Sequence, residues 1–298
     1  MSGASVPETS SRGAWFDPLV LVLGFGVLAM YGPLAPELVS DWNRSGNYSH
    51  GWAVLPLAVA LVFARRERLA ATARRPAASG AWIVAAAVAI YLLGAAASEF
   101  FLLRSSVVPW ALGCVVLLHG WRRARVVAFP VAFLLFMIPP PTLVWNTIAL
   151  PLQLLASRVA EWTLVLAGAS IERDGNVIHL AGVSLEVAAA CSGLRSLVTL
   201  LALAALLADG SLTGTIVRRF PNRVILFLAA VPIAVLLNAV RVSATALAAA
   251  RVGEAATTGW VHEAAGAVSF LFALATLWFV GKGLARWERP ARSRSPSA

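Results

Sequence analysis

Residues 224–250 read VILFLAAVPIAVLLNAVRVSATALAAA, an apolar run whose single charge is Arg241. About 20 apolar residues are enough to cross a bilayer as a helix, and a helix satisfies its own backbone polar groups in lipid. Three other long runs, Asp17–Val39, Ala81–Leu103 and Ala264–Val280, are spread along the chain. Hydrophobic residues make up 59% of the 298 and charged residues only 13%. A water-soluble fold of this length has too little interior for so much apolar side chain. The sequence therefore predicts an all-α polytopic membrane helix bundle.

Shorter runs at Gly51–Ala64, Val107–His119, Val126–Ile138 and Leu194–Ala208 raise the expected number of spans to about eight. Pro139-Pro140-Pro141 ends one of them, since no helix continues through three prolines. Between Leu143 and Gly168 the apolar pattern is interrupted by Asn146, Gln153, Arg158 and Glu161. That segment is expected to lie amphipathically in the outer interface, or to line a groove, rather than to cross. Asp174-Gly175, within the alternating stretch Ile171–Val187, signals a short β-hairpin before Cys191. No globular part separates from the apolar runs. Residues 1–14, small and polar, are expected to be a disordered cytoplasmic N-terminus, 15–285 one membrane domain, and 286–298 a basic cytoplasmic tail. The first run lacks a small-residue cleavage site and reads as a retained helix, not a removed signal peptide.

The net charge of +10 would suggest nucleic acid in a soluble protein. Here the basic residues cluster between apolar runs, at 65–75, 122–125, 218–223 and 282–294. Such clusters hold loops on the cytoplasmic side, so the implied partner is membrane lipid and no nucleic acid. With a cytoplasmic N-terminus, 17 of the 24 basic residues fall on the inner side. Arg44, Arg104, Arg158, Arg173, Arg195, Arg241 and Arg251 remain for the outer half. The count requires that 143–168 not cross.

This topology brings Cys191, Arg241 and His262 to the outer face, each near a helix end. A thiolate is the nucleophilic form of cysteine, and both a helix N-terminus and a nearby cation favour it. Cys191-Ser192-Gly193-Leu194-Arg195 starts a helix, with Arg195 one turn on. His262 has the chemistry to take the thiol proton and return one to a leaving amine. Arg241, charged at any working pH, suits a tetrahedral oxyanion. Bland readings stand beside these. Cys114, inside an apolar run, is a packing thiol, and Arg104 and Arg251 snorkel to headgroups. For Arg241 snorkelling and function are evenly matched by composition, and Asn238 one turn before it favours function. An interfacial histidine is more often an anchor than a base, which applies to His262 and more so to His50, His119 and His179. Two cysteines and four scattered histidines offer no metal-ligand spacing, and no cofactor is implied.

Five stretches occur in an order that resembles the exosortase/archaeosortase family. They are Tyr48-Ser49-His50-Gly51, Phe129-Pro130 to Pro141, Val187 to Leu197 around Cys191-Ser192-Gly193-Leu194-Arg195, Asn238-Ala239-Val240-Arg241, and His262-Glu263-Ala264-Ala265-Gly266. Together they cover roughly residues 40–280. The resemblance implies a membrane-embedded cysteine protease or transpeptidase of the bacterial inner membrane, with its active site facing outward. It would remove a C-terminal sorting helix of the Pro-Glu-Pro type from exported proteins, which are thus the expected partners. Matched residue by residue, Cys191 is the expected nucleophile, with Arg241 and His262 as its catalytic partners. Arg195, Asn238, Ser192 and His50 are expected to support them or bind substrate. Family members often carry Glu two residues before the cysteine, where this chain has Ala189. The rival functions are a non-enzymatic transporter or assembly factor for exported polysaccharide, with arginines along an anion path, and an acyltransferase with a lipid donor.

Overall fold

The computed structural model describes residues 18–180, 183–186, 193–214, 217–252 and 259–288. The expected disordered N-terminus, most of the basic tail, Cys191 and Ser192 lie outside the described residues. In chain order the helices are α1 (Pro18–Tyr31), α2 (Ala35–Arg44), α3 (Gly51–Ala64), α4 (Arg66–Ala71), α5 (Ser79–Ala96), α6 (Phe100–Ser105) and α7 (Val107–His119). They continue with α8 (Trp121–Phe133), α9 (Thr142–Leu166), α10 (Leu194–Asp209), α11 (Phe220–Val252) and α12 (Gly259–Glu288). Strands β1 (Ile171–Asp174), β2 (Val177–Leu180) and β3 (Val183–Glu186) lie between α9 and α10.

The all-α polytopic architecture holds, with a different tally of spans from the eight expected. Among the described residues six helices are long and apolar enough to cross a membrane, or up to seven if the bent pair α1 and α2 is one span. The first apolar run breaks between Tyr31 and Ala35 with a bend of 48°, because Pro33 brings no N–H to the helix ladder. Run 126–138 divides into the end of α8 and a 3-10 turn, Leu134–Met137. Run 81–103 divides into α5 and α6, joined through Ser98 at φ 53°.

The chain forms two compact units, Met1–Asp41 with Glu67–Ala132, and Trp42–Arg66 with Phe133–Ala298. In the first, α5 and α7 form an antiparallel hairpin. A Cβ on Gly113 would meet Val84 at 2.9 Å, and one on Gly94 would meet the Leu103 amide at 2.6 Å. Bare glycine lets such backbones close where lipid gives no hydrophobic drive to helix pairing. At the far end of this hairpin Arg104 is buried, donating to Asp41 at 2.6 Å and reaching Glu37 at 3.5 Å. It pairs with α2 instead of snorkelling to headgroups.

In the second unit one end collects basic segments and helix termini. Arg65, just past α3, is ion-paired with Asp209 at the end of α10. Glu288, the last residue of α12, accepts from the Arg218 and Arg219 amides at 2.7 and 2.8 Å and from Asn222 at 3.0 Å. A carboxylate here satisfies amides at the start of α11 and matches its positive dipole end. Thus α11 and α12 run antiparallel, with α3 and α10 ending beside them. The core between these helices joins Leu200, Ala204, Leu226, Ala230, Ala273 and Leu277. Though α10 has only 16 residues, it reaches from this end to Asn238 on α11. Much of it is buried in protein, so its short length, about 24 Å, need not match the full thickness of lipid.

The region before Cys191 departs from expectation in detail. The hairpin expected at Asp174-Gly175 is present as β1 and β2, and β3 extends it to a three-stranded antiparallel meander, with Glu172 opposite His179 and His179 opposite Ser184. Residues 142–166 make one continuous helix that meets the length and apolarity needed to cross. Its first and later turns meet different elements. Trp145 in its first turn stacks edge-on against Tyr48 at 5.3 Å. Its later turns carry Ala156, Ala160 and Leu164 against Ile178 of β2 and against Val242 and Ala246 of α11. The polar interruptions are used there too. Ser157 donates to the Gly175 carbonyl at 3.2 Å, and Glu161 pairs with Arg173 at 2.5 Å. By length and apolarity this helix qualifies as a span, where the sequence led us to expect a segment lying in the interface.

Candidate functional site

At the end of the second unit opposite the basic one, α10 begins beside Asn238 and Arg241 of α11. Three helices contribute. The chain enters α10 at Gly193, whose backbone is left-handed at φ 80°. A Cβ there would fall 2.7 Å from Asn238 Cγ, so both the conformation and the contact select glycine. This joins the start of α10, two residues after Cys191, to the side chain of Asn238 on α11. Gly193→Ala would therefore combine positive-φ strain, about 1 kcal/mol, with a collision at a buried amide. Its thermal unfolding in detergent is expected several degrees below that of the unaltered protein. Adding Asn238→Ala should recover the collision's share and leave the strain.

One turn along α11 from Asn238, Arg241 is half-buried. Its Nη1 faces α12, where a Cβ on Gly266 would lie 3.4 Å away. Its Nη2 is buried with no hydrogen-bond partner among the described residues. Position 262 lies one turn before Gly266 on the same face of α12, about 5.4 Å along the axis; the His262 side chain itself lies outside the described residues. Counting from the basic end, Arg241 stands about 32 Å along α11. That is close to the thickness of a hydrocarbon core, ~30 Å. The last turns of α11 extend beyond this depth and are covered by α9 and the meander.

Between α11 and α12, Arg241 borders a groove of about 310 Å³. Its walls are apolar, including Leu237, Val240, Ala244, Val268 and Phe272, with Thr245 and Ser269 as the polar exceptions. A smaller pocket continues from Arg241 past Asn238 and Ser269 to Ser196 on α10. The arrangement is a cation with an unused donor at the edge of an apolar trough.

Of the supporting residues, Arg195 lays its guanidinium over Gly46 in the turn before α3, where any Cβ would collide with it. Chain order gave no sign of that contact. His50 Nε2 donates to the Phe136 carbonyl at 3.0 Å. With Trp42 Nε1 donating to the Met137 carbonyl at 2.9 Å, it anchors the 3-10 turn Leu134–Met137. In this bond His50 acts as an anchor. The α11–α12 groove was also missed from sequence. Its only trace is the run of small residues at 244–250, which reads equally as lipid-facing helix.

Several apolar helices of membrane-crossing length define a multi-pass membrane protein. The family model for transmembrane exosortases matches residues 42–279, most of the chain, and the protein belongs to that family. No curated protein and no solved structure matches it.

Proposed function

We propose that this protein is a membrane-embedded cysteine endopeptidase or transpeptidase. It removes a C-terminal sorting helix, of the Pro-Glu-Pro type, from exported proteins at the outer face of the bacterial inner membrane. The observation that carries this reading is the meeting of α10, α11 and α12. The backbone just after Cys191 contacts Asn238, and Arg241, one turn on, turns its guanidinium to the helix face that carries position 262.

The proposed chemistry uses each residue for what it does best. The Cys191 thiol loses its proton to His262, and the thiolate attacks the scissile carbonyl. A C–S bond forms while the carbonyl electron pair moves to oxygen, where the fixed charge of Arg241 stabilises it. The oxyanion then collapses and the C–N bond breaks. The departing amine takes the proton from His262, leaving a thioester on Cys191. Water or an acceptor amine attacks that thioester, the acyl carbon changes partner, and the thiol is restored. The apolar groove bordered by Arg241 suits the end of a substrate's membrane helix, and holding that helix would fix the scissile bond at the depth of the thiol.

The test is to trap the intermediate. The protein is incubated with a reporter ending in a short motif, one apolar helix and an arginine cluster, then quenched in acid and digested. A reporter-derived acyl group on the Cys191 peptide, released by hydroxylamine, is the expected result. A lipid acyl group on that peptide would replace this reading with an acyltransferase. Reporter cleavage with Cys191 never acylated would remove Cys191 as nucleophile.

A further inference from the structure

At the basic end of the first unit, Arg74, Arg75, Arg122, Arg123 and Arg125 gather where α7 turns into α8. Among the described residues no carboxylate pairs with any of them. Between Arg66 and Arg125 the only acidic residues are Glu67 and Glu99. Glu99 caps α6 at the far end of the α5–α7 hairpin, accepting from the Leu102 amide at 3.0 Å. Concentrated charge of this kind, left without a carboxylate partner among the described residues, calls for an anion from outside the protein.

The cluster is built rather than loose. The loop before α5 is fixed to the α7–α8 turn: the Arg75 amide donates to the His119 carbonyl at 3.0 Å and the Ala77 amide to Val116 at 3.2 Å. Gly120, at φ 88°, closes so tightly on the Arg75 carbonyl that no Cβ fits between them. Two guanidiniums are tethered through their inner nitrogen. Arg74 Nε donates to the Leu118 carbonyl at 2.8 Å, and Arg123 Nε donates to the Thr72 carbonyl at 2.9 Å. Each bond orients the planar group while leaving both terminal nitrogens available as a fork for phosphate. One guanidinium is thus held at the end of α7 and the other to the loop after α4, two segments that Arg75 and His119 join at the same turn. The first amides of α8, at the same turn, add the positive end of a helix dipole.

The depth of the cluster says which anion it meets. Trp82 and Trp121 are 81% and 45% exposed beside it, and Trp121 Nε1 donates to Ser79 at 2.9 Å. Exposed tryptophans at the ends of membrane helices lie at headgroup level. We propose that this end of α5 and α7 holds the phosphate of an anionic phospholipid headgroup between the terminal amino groups of Arg74 and Arg123. The site is separate from the proposed catalytic one, so its test needs no activity.

The full-length protein in neutral detergent is titrated with dioleoyl-phosphatidylglycerol or dioleoyl-phosphatidylcholine, and bound lipid is counted by native mass spectrometry. The anionic phosphatidylglycerol is expected to bind more tightly. Arg74→Gln with Arg123→Gln should weaken it roughly tenfold, given the worth of each arginine at an anionic surface. Arg251→Gln with Arg286→Gln removes the same charge elsewhere and should change little. If the first pair fails to insert, Arg122→Gln with Arg125→Gln removes equal charge from the cluster's exposed rim and should still weaken binding. Equal affinity for the two lipids overturns the proposal, as does equal loss in the control pair, or unweakened binding in the rim pair where that stands in. Displacement of the lipid by millimolar inorganic phosphate as effectively as by phosphatidylglycerol would make it a soluble-anion site and likewise overturn it.

Discussion

Cys191→Ser is expected to lower tail removal from a co-expressed substrate by at least about a thousandfold, while the protein remains inserted and folded. A hydroxyl in place of the thiol is far less acidic, so the helix terminus and the cation that favour a thiolate have no comparable anion to stabilise. Loss of a nucleophile in a hydrolase with a covalent intermediate costs several orders of magnitude in turnover. The measurement is the ratio of tailed to processed substrate on a gel, alongside the variant's thermal unfolding. Cys114→Ser serves as the comparison, since Cys114 packs with Leu23, Ala87 and Trp110 in the α1–α5–α7 cluster; it is expected to leave processing unchanged. Processing that survives Cys191→Ser would end the proposal that this thiol attacks the peptide.

Arg241→Lys is expected to reduce turnover about a hundredfold with little change in KM, and Arg241→Gln by roughly ten times more. Lysine keeps the charge but loses the planar fork, and here the fork's geometry is at issue. One terminal nitrogen faces Gly266 and the other is buried without a partner among the described residues. A donor that has no partner at rest is arranged for one that appears during reaction. Initial rates over a range of reporter concentrations, in proteoliposomes, separate the two parameters. A raised KM with unchanged turnover would instead make Arg241 a ground-state contact to substrate.

Hydropathy found the helices well where a run was long and uninterrupted, as in α11 and α12. It failed where tertiary contacts replaced lipid. The stretch 194–208 looked like a span, and α10 does pass from one end of its unit to the other, yet it is shorter than a lipid-facing helix needs to be. Its neighbours α11 and α12 bury it, so its terminal backbone meets protein. The polar residues of 143–168 suggested a segment that does not cross, yet its helix is long and apolar enough to do so. Ser157 and Glu161 could not disclose that their partners would be Gly175 and Arg173. The Asp174-Gly175 turn was legible from its chemistry, whereas the pairing of a third strand, β3, with β2 was not.

The sequence alone determined that the chain lives in a membrane, which of its ends carry basic charge, and which thiol, guanidinium and imidazole deserve chemical interest. Those follow from transfer free energy and charge, properties each residue carries with it wherever it is placed. Only the tertiary structure decided who meets whom. Gly193 against Asn238, Arg241 against Gly266, Arg195 over Gly46 and the trough between α11 and α12 come from helices adjacent in space but distant in sequence. Packing sets such contacts through the closeness that bare glycines allow, and no local pattern in the chain encodes that distance.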